Sequence, residues 1–419
     1  MNARSQEKLT LMKIAVPRET ADGETRVALT PQIAGQLAGD GAEVLVQSGA
    51  GEASGNLDDA YREAGATIVP DAATLYSQAD MVLRVGRPSD EEVEMLREGT
   101  ILIGTLGTLA RPEFAQTLAK RGVTAISMDA IPRITRAQSM DTLSSQATVG
   151  GYKAVLIAAE RLPKFFPLLT TAAGTIRPAR GIVMGAGVAG LMAIGTARRL
   201  GAVVEATDVR PVVKEQVESL GGTFIEVEMT DEEKAQAETA GGYAREMSDD
   251  YKRRQADLIA ERVKEADFII TTALIPGRPA PKLVTEEMLT SMKPGSVIVD
   301  MAAEMGGNVE GTEAGKEVVK HGVLLVGHTN LPATMPGSAT QMYAKNLQTL
   351  IKHLMSDDGS VDLNLDDEIT KGATITHRGK VVHEATAKAL GLEVEPKPAP
   401  PTTDASEVAP SAQPQTKDS

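Results

Sequence analysis

The sequence contains no cysteine and no tryptophan, and only 3% of its residues are aromatic. Without cysteine the chain can form no disulfide, thiolate metal site or cysteine nucleophile. No apolar run approaches the roughly 20 residues that span a bilayer, and no signal-peptide pattern is present, so we expect no direct membrane insertion and a cytoplasmic location. The cores must therefore consist of alanine, valine, leucine, isoleucine and the 17 methionines, which we interpret as gap-filling side chains.

Basic residues are in the minority: 43 Lys+Arg stand against 57 Asp+Glu, and the formal net charge is −14. This balance argues against nucleic acid or an anionic membrane surface as the main partner. Histidine is scarce, and all five histidines lie at or after position 321. A dehydrogenase of small polar substrates needs a general acid or base, most often histidine, and the first part of the chain offers none. We expect His321 and His377 in solvated turns and His328 nearest to a cleft, and no histidine pair indicates a metal.

A glycine-rich turn follows a buried-strand pattern in the middle of the chain and opens a helix pattern that runs to Leu200. This is the context that a G-x-G-x-x-G dinucleotide motif requires. Gly185 permits a tight turn, Gly187 lets the backbone approach a pyrophosphate, and Gly190 lets the helix pack closely on the strand. The free N–H groups at the start of the helix pattern, which we place at Leu191–Leu200, favour phosphate, and Val188 in the turn is an expected cofactor contact. The alternative is a purely structural glycine turn in another kind of α/β domain.

The next strand pattern ends at Asp208, which lies 18 positions after Gly190. A carboxylate at this place binds ribose hydroxyls and repels a 2′-phosphate. The sequence therefore predicts NAD(H) rather than NADP(H), although the neighbouring Arg210 favours the opposite choice.

The length of 419 residues and the alternation of short apolar runs with helix patterns predict more than one α/β unit. We expect two Rossmann-like doubly wound parallel-sheet domains with a cofactor cleft between them. The charged segment from Asp231 to Arg262 is typical of a functional or disordered insertion. We expect a flexible N-terminal extension over residues 1–11, with Met12 as a second possible start, and a first α/β domain over residues 12–143. The dinucleotide-binding domain follows over residues 144–327. A crossover helix that returns to the first domain is expected within residues 328–390, and a disordered acidic, proline-rich tail over residues 391–419.

Two further polar segments are candidates for the site. Residues 132–146 lie at the expected domain junction, where clefts form, and Gln138 can donate to and accept from a sugar diol. The alternative for this segment is a polar helix cap and hinge. The Gly241-Gly-Tyr243 segment has the glycines and the aromatic side chain of a lid, but its composition also fits an ordinary exposed loop.

Taken together, the segments Arg133–Asp141, Glu238–Met247 and Thr271–Ala280 resemble the NAD(H)-binding component of proton-translocating nicotinamide nucleotide transhydrogenases, and the resemblance covers about residues 12–390. It implies that Gln138 bonds the nicotinamide ribose, that Arg133 and Asp141 orient the loop, and that these three act in catalysis. It also implies that Tyr243 belongs to a mobile loop. Four further cofactor contacts are expected in these segments or just after them: Ser144, Thr272, Ala273 and Leu274.

The resemblance also implies the reaction and the partners. Hydride would pass directly between NADH on this chain and NADP(H) on a partner subunit, with the Re/Si specificity of that family, and no substrate proton would be released. The scarcity of histidine is compatible with this reaction, because the protein only has to position two rings and exclude water. The chain would be the separate alpha-type subunit, a homodimer held at the inner face of the plasma membrane by membrane-spanning subunits that translocate protons.

Two alternatives have different functions. Alanine dehydrogenases are similar in fold and share the Pro-x-Glu-Thr pattern at Pro17 and the Met292–Gly295 stretch. That family needs a histidine where this sequence has Gly107, and a substrate-binding lysine where it has only arginines and a glycine around Gly86. A regulatory module that senses NAD is the third possibility, and it would bind NADH without any redox partner.

Overall fold

The computed structural model describes residues 12–227, 249–275, 278–356, 360–361 and 363–392. Strands and short helices alternate regularly in the first part of the chain, and caps set several helix starts. Thr30 and Asp71 each accept a backbone N–H, and Ser89 forms a capping box with Glu92. The elements are β1 (Lys13–Val16), α1 (Pro31–Gly39), β2 (Glu43–Gln47), α2 (Asp58–Glu63), β3 (Thr67–Val69), α3 (Ala72–Gln78), β4 (Met81–Leu83), α4 (Asp90–Met95), β5 (Ile101–Gly104), α5 (Glu113–Lys120), β6 (Thr124–Ser127) and α6 (Thr142–Arg161).

A second alternation follows a small hairpin. Its elements are β7 (Leu169–Thr171), β8 (Gly174–Ile176), β9 (Arg180–Met184), α7 (Val188–Arg199), β10 (Val203–Thr207), α8 (Lys214–Ser219), β11 (Thr223–Phe224), α9 (Asp249–Glu265), β12 (Phe268–Thr271), α10 (Glu286–Ser291), β13 (Val297–Asp300), β14 (Glu317–Lys320) and β15 (Val323–Val326). Part of the expected charged insertion is thus regular helix α9. It is amphipathic: Leu258 and Ile259 pack on the core, and Arg254 pairs with Asp250 one turn away.

The chain then returns to the first part of the fold. The closing elements are α11 (Pro336–Leu354), α12 (Glu368–Ala373), β16 (Thr374–His377), β17 (Lys380–Val381) and α13 (Glu384–Ala389). Helix α11 buries one face in the first core, where Leu347, Leu350 and Ile351 have no exposed surface. The hydroxyl of Tyr343 on this helix donates to the carbonyl oxygen of Arg84 over 2.7 Å. This contact fixes α11 to the end of β4.

Two large sheets organise these elements. The first has the order β17-β16-β6-β5-β4-β1-β2-β3, with antiparallel pairing only at β16 and β17. The second has the order β11-β10-β9-β12-β13-β15-β14, with only β14 antiparallel. The predicted fold class, α/β with parallel sheets, is confirmed. In the second sheet the strand order reverses between β9 and β12, and α/β proteins bind ligands at the carboxyl edge of such a switch point.

Helix α6 joins the two sheets in sequence and packs directly on α7. A Cβ at Gly151 of α6 would lie 2.1 Å from the carbonyl oxygen of Ala189, so the two helix backbones touch at this glycine. No helix among the described residues is both long and apolar enough to cross a bilayer.

Candidate dinucleotide-binding site

The loop from Gly185 to Gly190 has the geometry that the glycine pattern predicts. Gly185 has a φ of +103°, a conformation that favours glycine. A Cβ at Gly190 would lie 1.8 Å from the carbonyl oxygen of Gly185, so helix α7 can approach the loop only with glycine there. A Cβ at Gly187 would meet nothing closer than 4.0 Å, at the guanidinium of Arg210. Gly185 and Gly190 therefore serve the fold, whereas Gly187 leaves open space.

The start of α7 suits an anion. No side chain caps it, in contrast to α6, α3 and α4. The first N–H groups of a helix have no partner within the helix and carry partial positive charge, which favours a phosphate. The open space at Gly187 lies at this uncapped end. The loop therefore fits the pyrophosphate of a dinucleotide.

Asp208, at the end of β10, closes the loop from the other side. Its Oδ2 accepts the backbone N–H of Ala186 at 2.7 Å, and its two oxygens accept Nε and Nη2 of Arg210 at 2.9 and 3.0 Å. Burial raises the pKa of this carboxyl, but the hydrogen bonds from Arg210 and Ala186 outweigh it, so the pKa lies below its usual value. An ionised carboxylate thus stands beside the glycine loop, with a guanidinium paired to it.

The stretch after β12 forms a further wall beside the loop. Thr272 Oγ1 donates to the carbonyl oxygen of Gly185 at 3.0 Å, and Leu274 is more than half exposed. Asn308 fixes Ala273, because its Oδ1 accepts the Ala273 N–H at 3.0 Å and its Nδ2 donates to the Ala273 carbonyl at 2.9 Å. Asn308 was not predicted from the sequence, where no motif marks it; only its complete burial beside an exposed loop identifies it.

The segment from Arg133 to Ser144 divides into free and paired side chains. Arg133 and Gln138 are exposed and have no side-chain hydrogen bond or ion pair with the described residues. Asp141 caps α6: its Oδ1 accepts the Ser144 N–H at 2.9 Å and its Oδ2 the Ser144 hydroxyl at 2.6 Å. The cap starts α6 at Thr142, whereas the sequence pattern alone indicates a helix only from Thr148, six residues later. Tyr243 lies outside the described residues.

A polar cluster that was not predicted from the sequence connects the two sheets. Arg26, in the loop after β1, donates to Glu24 Oε2 at 2.6 Å, to Gln146 of α6 at 2.8 Å and to Asn330 at 3.0 Å. Asn330 follows the second sheet and has a φ of +48°, which asparagine tolerates better than most residues. These four residues come from three distant segments, so spacing alone gives no signal of the cluster.

Of the histidines considered in the sequence, His377 is placed differently from the expectation. His328 Nε2 lies 3.1 Å from Glu317 on the edge strand β14, and Glu317 also pairs with Arg161. His377 is half-buried against Thr124 rather than solvated, because β16 adds to the first sheet beside β6. His321 is exposed in a turn, as predicted.

His383 belongs to the first sheet unit as well. Its Nδ1 lies 2.8 Å from the Thr386 hydroxyl, which is 3.3 Å from the Thr108 hydroxyl. Burial lowers the pKa of His383, against the influence of Asp129. No group of acidic residues and histidines that could hold a metal occurs in the described part of the chain.

These features define an α/β protein with a glycine loop, of a geometry that fits a dinucleotide, at the switch point of its second parallel sheet. Residues 15–150 match the N-terminal domain, and residues 154–384 the C-terminal domain, of the alanine dehydrogenase/PNT family. The chain belongs to this family, an oxidoreductase family that binds NAD(H).

The relatives within the family include transhydrogenases and alanine dehydrogenases. The chain is 50% identical to an NAD(P) transhydrogenase alpha subunit of Rhodospirillum rubrum, over 89% of this chain and 98% of that protein. It is 34% identical to the alanine dehydrogenase of Bacillus subtilis, over 92% of this chain and 96% of that protein. The crystal structure of a transhydrogenase from Sinorhizobium meliloti matches with a TM-score of 0.81 at 46% identity, over 88% of this chain and all of that one. This similarity supports a role in NAD(P) transhydrogenation.

Proposed function

We propose that this chain is the NAD(H)-binding subunit of a proton-translocating transhydrogenase and passes hydride directly from NADH to NADP⁺ on a partner subunit. One juxtaposition carries the proposal. The second sheet carries a glycine loop and an uncapped helix start that fit a phosphate, whereas the first sheet carries Gly107, with a φ of +63°, three residues after β5. Oxidation of an amine or alcohol releases a proton that a side chain must accept, whereas hydride exchange between two nicotinamide rings releases none.

The residues of this chain then act by holding and orienting NAD(H). The uncapped N–H groups of α7 and the space at Gly187 would hold the pyrophosphate, and Asp208 the adenosine ribose. The exposed amide of Gln138 would bond the nicotinamide ribose, with Arg133 beside it and the Asp141–Ser144 cap fixing the end of the segment. Thr272, Ala273 and Leu274 would contact the nicotinamide half, and Tyr243 would close over it. The nicotinamide supplies the hydride when bound, and the chain excludes water around it.

The proposal includes a homodimer. The hairpin of β7 and β8 forms a sheet of its own, and its strand residues are mostly exposed. An isolated two-stranded hairpin is marginally stable in water, and exposed apolar side chains mark interaction surfaces. Phe165 and Leu168 beside the hairpin are each more than half exposed. We propose that this hairpin packs on a second copy, which the mass of the chain in solution tests.

The partners and the domain boundaries complete the proposal. The membrane-spanning subunits would translocate protons and hold this chain at the inner face of the plasma membrane. Residues 12–143 together with 328–390 would form one domain and residues 144–327 the NAD(H)-binding domain, in agreement with the strands that each sheet contains.

The test mixes the purified chain with an isolated NADP(H)-binding domain of a transhydrogenase. We expect reduction of an NADP⁺ analogue by NADH that requires both proteins, and no oxidation of L-alanine by NAD⁺ with the chain alone. Omitting the partner domain is the control. Alanine oxidation without the partner, together with no hydride transfer in its presence, would overturn the proposal.

An alanine dehydrogenase-like oxidoreductase is the second candidate. Besides the similarity to such enzymes, the placement of His383 favours it, because this histidine lies on the first sheet unit and is connected to Thr108 through the Thr386 hydroxyl. If alanine is oxidised, replacement of His383 by glutamine should abolish that activity. Binding of NADH without either reaction would instead indicate an NAD-sensing module.

A further inference from the structure

The short turn that carries Gln138 is held at both flanks by residues more than 200 positions downstream. This turn is a 3₁₀ helix, Thr135–Met140. Arg136 Nη2 lies 2.9 Å from Asp367 Oδ2, and Asn346 Nδ2 donates to the carbonyl oxygen of Ser139 at 2.7 Å. Gln138 lies between these two anchored positions, and its own side chain is exposed without a partner among the described residues.

Asp367 is also held in place by contacts other than the one with Arg136. Its Oδ1 accepts the backbone N–H groups of Ile369 and Thr370 at 3.0 and 3.1 Å, and lies 3.0 Å from His353 Nε2. Burial raises the pKa of Asp367, but the hydrogen bonds from Arg136, Thr370 and His353 outweigh it and hold the pKa well below its usual value. The carboxylate is therefore ionised and held in one orientation when it binds Arg136.

Both contacts connect the turn to the same element, helix α11. Asn346 and His353 lie on α11, about two turns apart, and this helix packs one face against the first core. The turn contacts α11 through the Asn346 bond directly and through Asp367 indirectly. A rigid scaffold of this kind is required to hold a catalytic side chain to within a fraction of an ångström.

We propose that Arg136, Asn346 and Asp367 are positioning residues that fix the backbone on either side of Gln138, so that its amide meets the nicotinamide ribose. The inference rests on the proposed role of Gln138 and goes beyond it, because none of the three residues is among the proposed cofactor contacts. Hydride transfer is sensitive to small misplacements of the ring, and about 1 Å can cost about 100-fold in rate.

Arg136→Ala is the sharpest test, because this side chain is 60% exposed and its removal leaves no buried group stranded except Asp367, which keeps its other partners. We expect single-turnover hydride transfer to an NADP(H)-binding transhydrogenase domain to slow about tenfold, with the Kd of NADH nearly unchanged. Amide hydrogen exchange of residues 135–140 in the cofactor-free chain should accelerate. The matched control is Arg62→Ala, which removes an exposed arginine paired with Asp59 on α2 and should change neither quantity. Arg136→Lys, which keeps the charge, should restore part of the rate.

A double-mutant cycle separates positioning from an independent role. If Arg136 acts through Gln138, Arg136→Ala should slow transfer no further in a Gln138→Ala background. Additive losses in the cycle, or an unchanged rate in Arg136→Ala while Gln138→Ala is slow, would overturn the positioning inference. An unchanged rate in Gln138→Ala would instead overturn the proposed role of Gln138, so the two failures are distinguishable.

Discussion

At the scale of single residues, Gly187 is a position where a substitution should weaken ligand binding without affecting the fold. The protein leaves at least 4.0 Å of space where its Cβ would stand, and its backbone conformation is open to any residue. We therefore expect Gly187→Ala to fold with an unchanged melting temperature and to bind NADH at least tenfold more weakly, because the methyl group occupies the space that the pyrophosphate needs. Calorimetric titration with NADH and thermal unfolding measure the two effects. A variant with full affinity would show that the pyrophosphate lies elsewhere.

Asp208 is expected to set the choice between the two dinucleotides. Asp208→Ala removes the carboxylate that repels a 2′-phosphate and also releases Arg210 from its ion pair. We expect the preference for NADH over NADPH to fall by at least tenfold, which competition binding measures. Arg210→Ala is the control, because it keeps the repelling carboxylate and should leave the preference high. Unchanged selectivity in Asp208→Ala would place the ribose contact on another residue.

Residue identities could be predicted where backbone geometry restricts the amino acid. The spacing of Gly185 and Gly190 followed from a conformation and a close approach that only glycine permits. Asn308 could not be predicted, because its role depends on a backbone segment 35 residues away. Arg84 shows the same limit: it is fully buried between Glu19 and Glu92, and no local pattern indicates that both carboxylates converge on it.

At the scale of elements, helix α7 offers a matched pair of glycines. Gly190→Ala should abolish NADH binding and destabilise the fold strongly, because its Cβ would lie 1.8 Å from a carbonyl oxygen that cannot move without breaking the loop. Gly195→Ala, further along the same helix, would meet only ordinary contacts at 3.7 and 3.8 Å. Since alanine favours helix by about 1 kcal/mol over glycine, Gly195→Ala should be neutral or stabilising. Urea unfolding of both variants tests this contrast; equal losses in the two would contradict it.

Many element bounds followed from sequence pattern, and the differences have local causes. Strands β1, β2, β3, β5 and β6 each contain a short apolar run and extend at most one polar residue beyond it at either end. The sequence pattern indicates a strand over Met81–Val85, but β4 ends at Leu83, because the Val85 N–H donates to the Glu19 carboxylate at 2.6 Å instead of continuing a strand. Helix α6 starts early because of the Asp141 cap. In each case a side chain satisfies a backbone group, which periodicity does not reveal.

At the scale of the whole molecule, the strand alternation predicts two parallel sheets but not what joins them. The return of the chain through α11 to β16 and β17 placed His377 and His383 on the first sheet unit, although they follow the second sheet in sequence. Side chains from distant segments make the junction, above all Arg26 with Glu24, Gln146 and Asn330. Because this cluster spans both sheets, it is where a single substitution should affect the stability of the whole.

Glu24 makes that effect depend on pH. Its side chain is 5% exposed. Burial raises its pKa, but the hydrogen bonds and charge of Arg26 outweigh it, so the pKa lies below the ordinary value of 4.5. A carboxyl with a lowered pKa in the folded state stabilises the fold above its unfolded-state pKa and loses that contribution as the pH falls through the folded-state value. The Glu24–Arg26 contribution should therefore be complete near neutral pH and decline below about pH 4.5.

Arg26→Gln should consequently cost about 3–5 kcal/mol near pH 7, since it leaves a buried carboxylate without its cation. The difference from the unmodified chain should shrink as the pH falls below 4.5, because a protonated Glu24 no longer needs the arginine. Arg161→Gln removes an arginine whose pair with Glu317 is partly exposed, and should destabilise the fold much less than Arg26→Gln does. Urea unfolding of the three proteins across this pH range measures both effects. A loss in Arg26→Gln that stays as large at the acid end of this range as at pH 7 would mean that the arginine stabilises the junction through Gln146 and Asn330 rather than through the charge of Glu24.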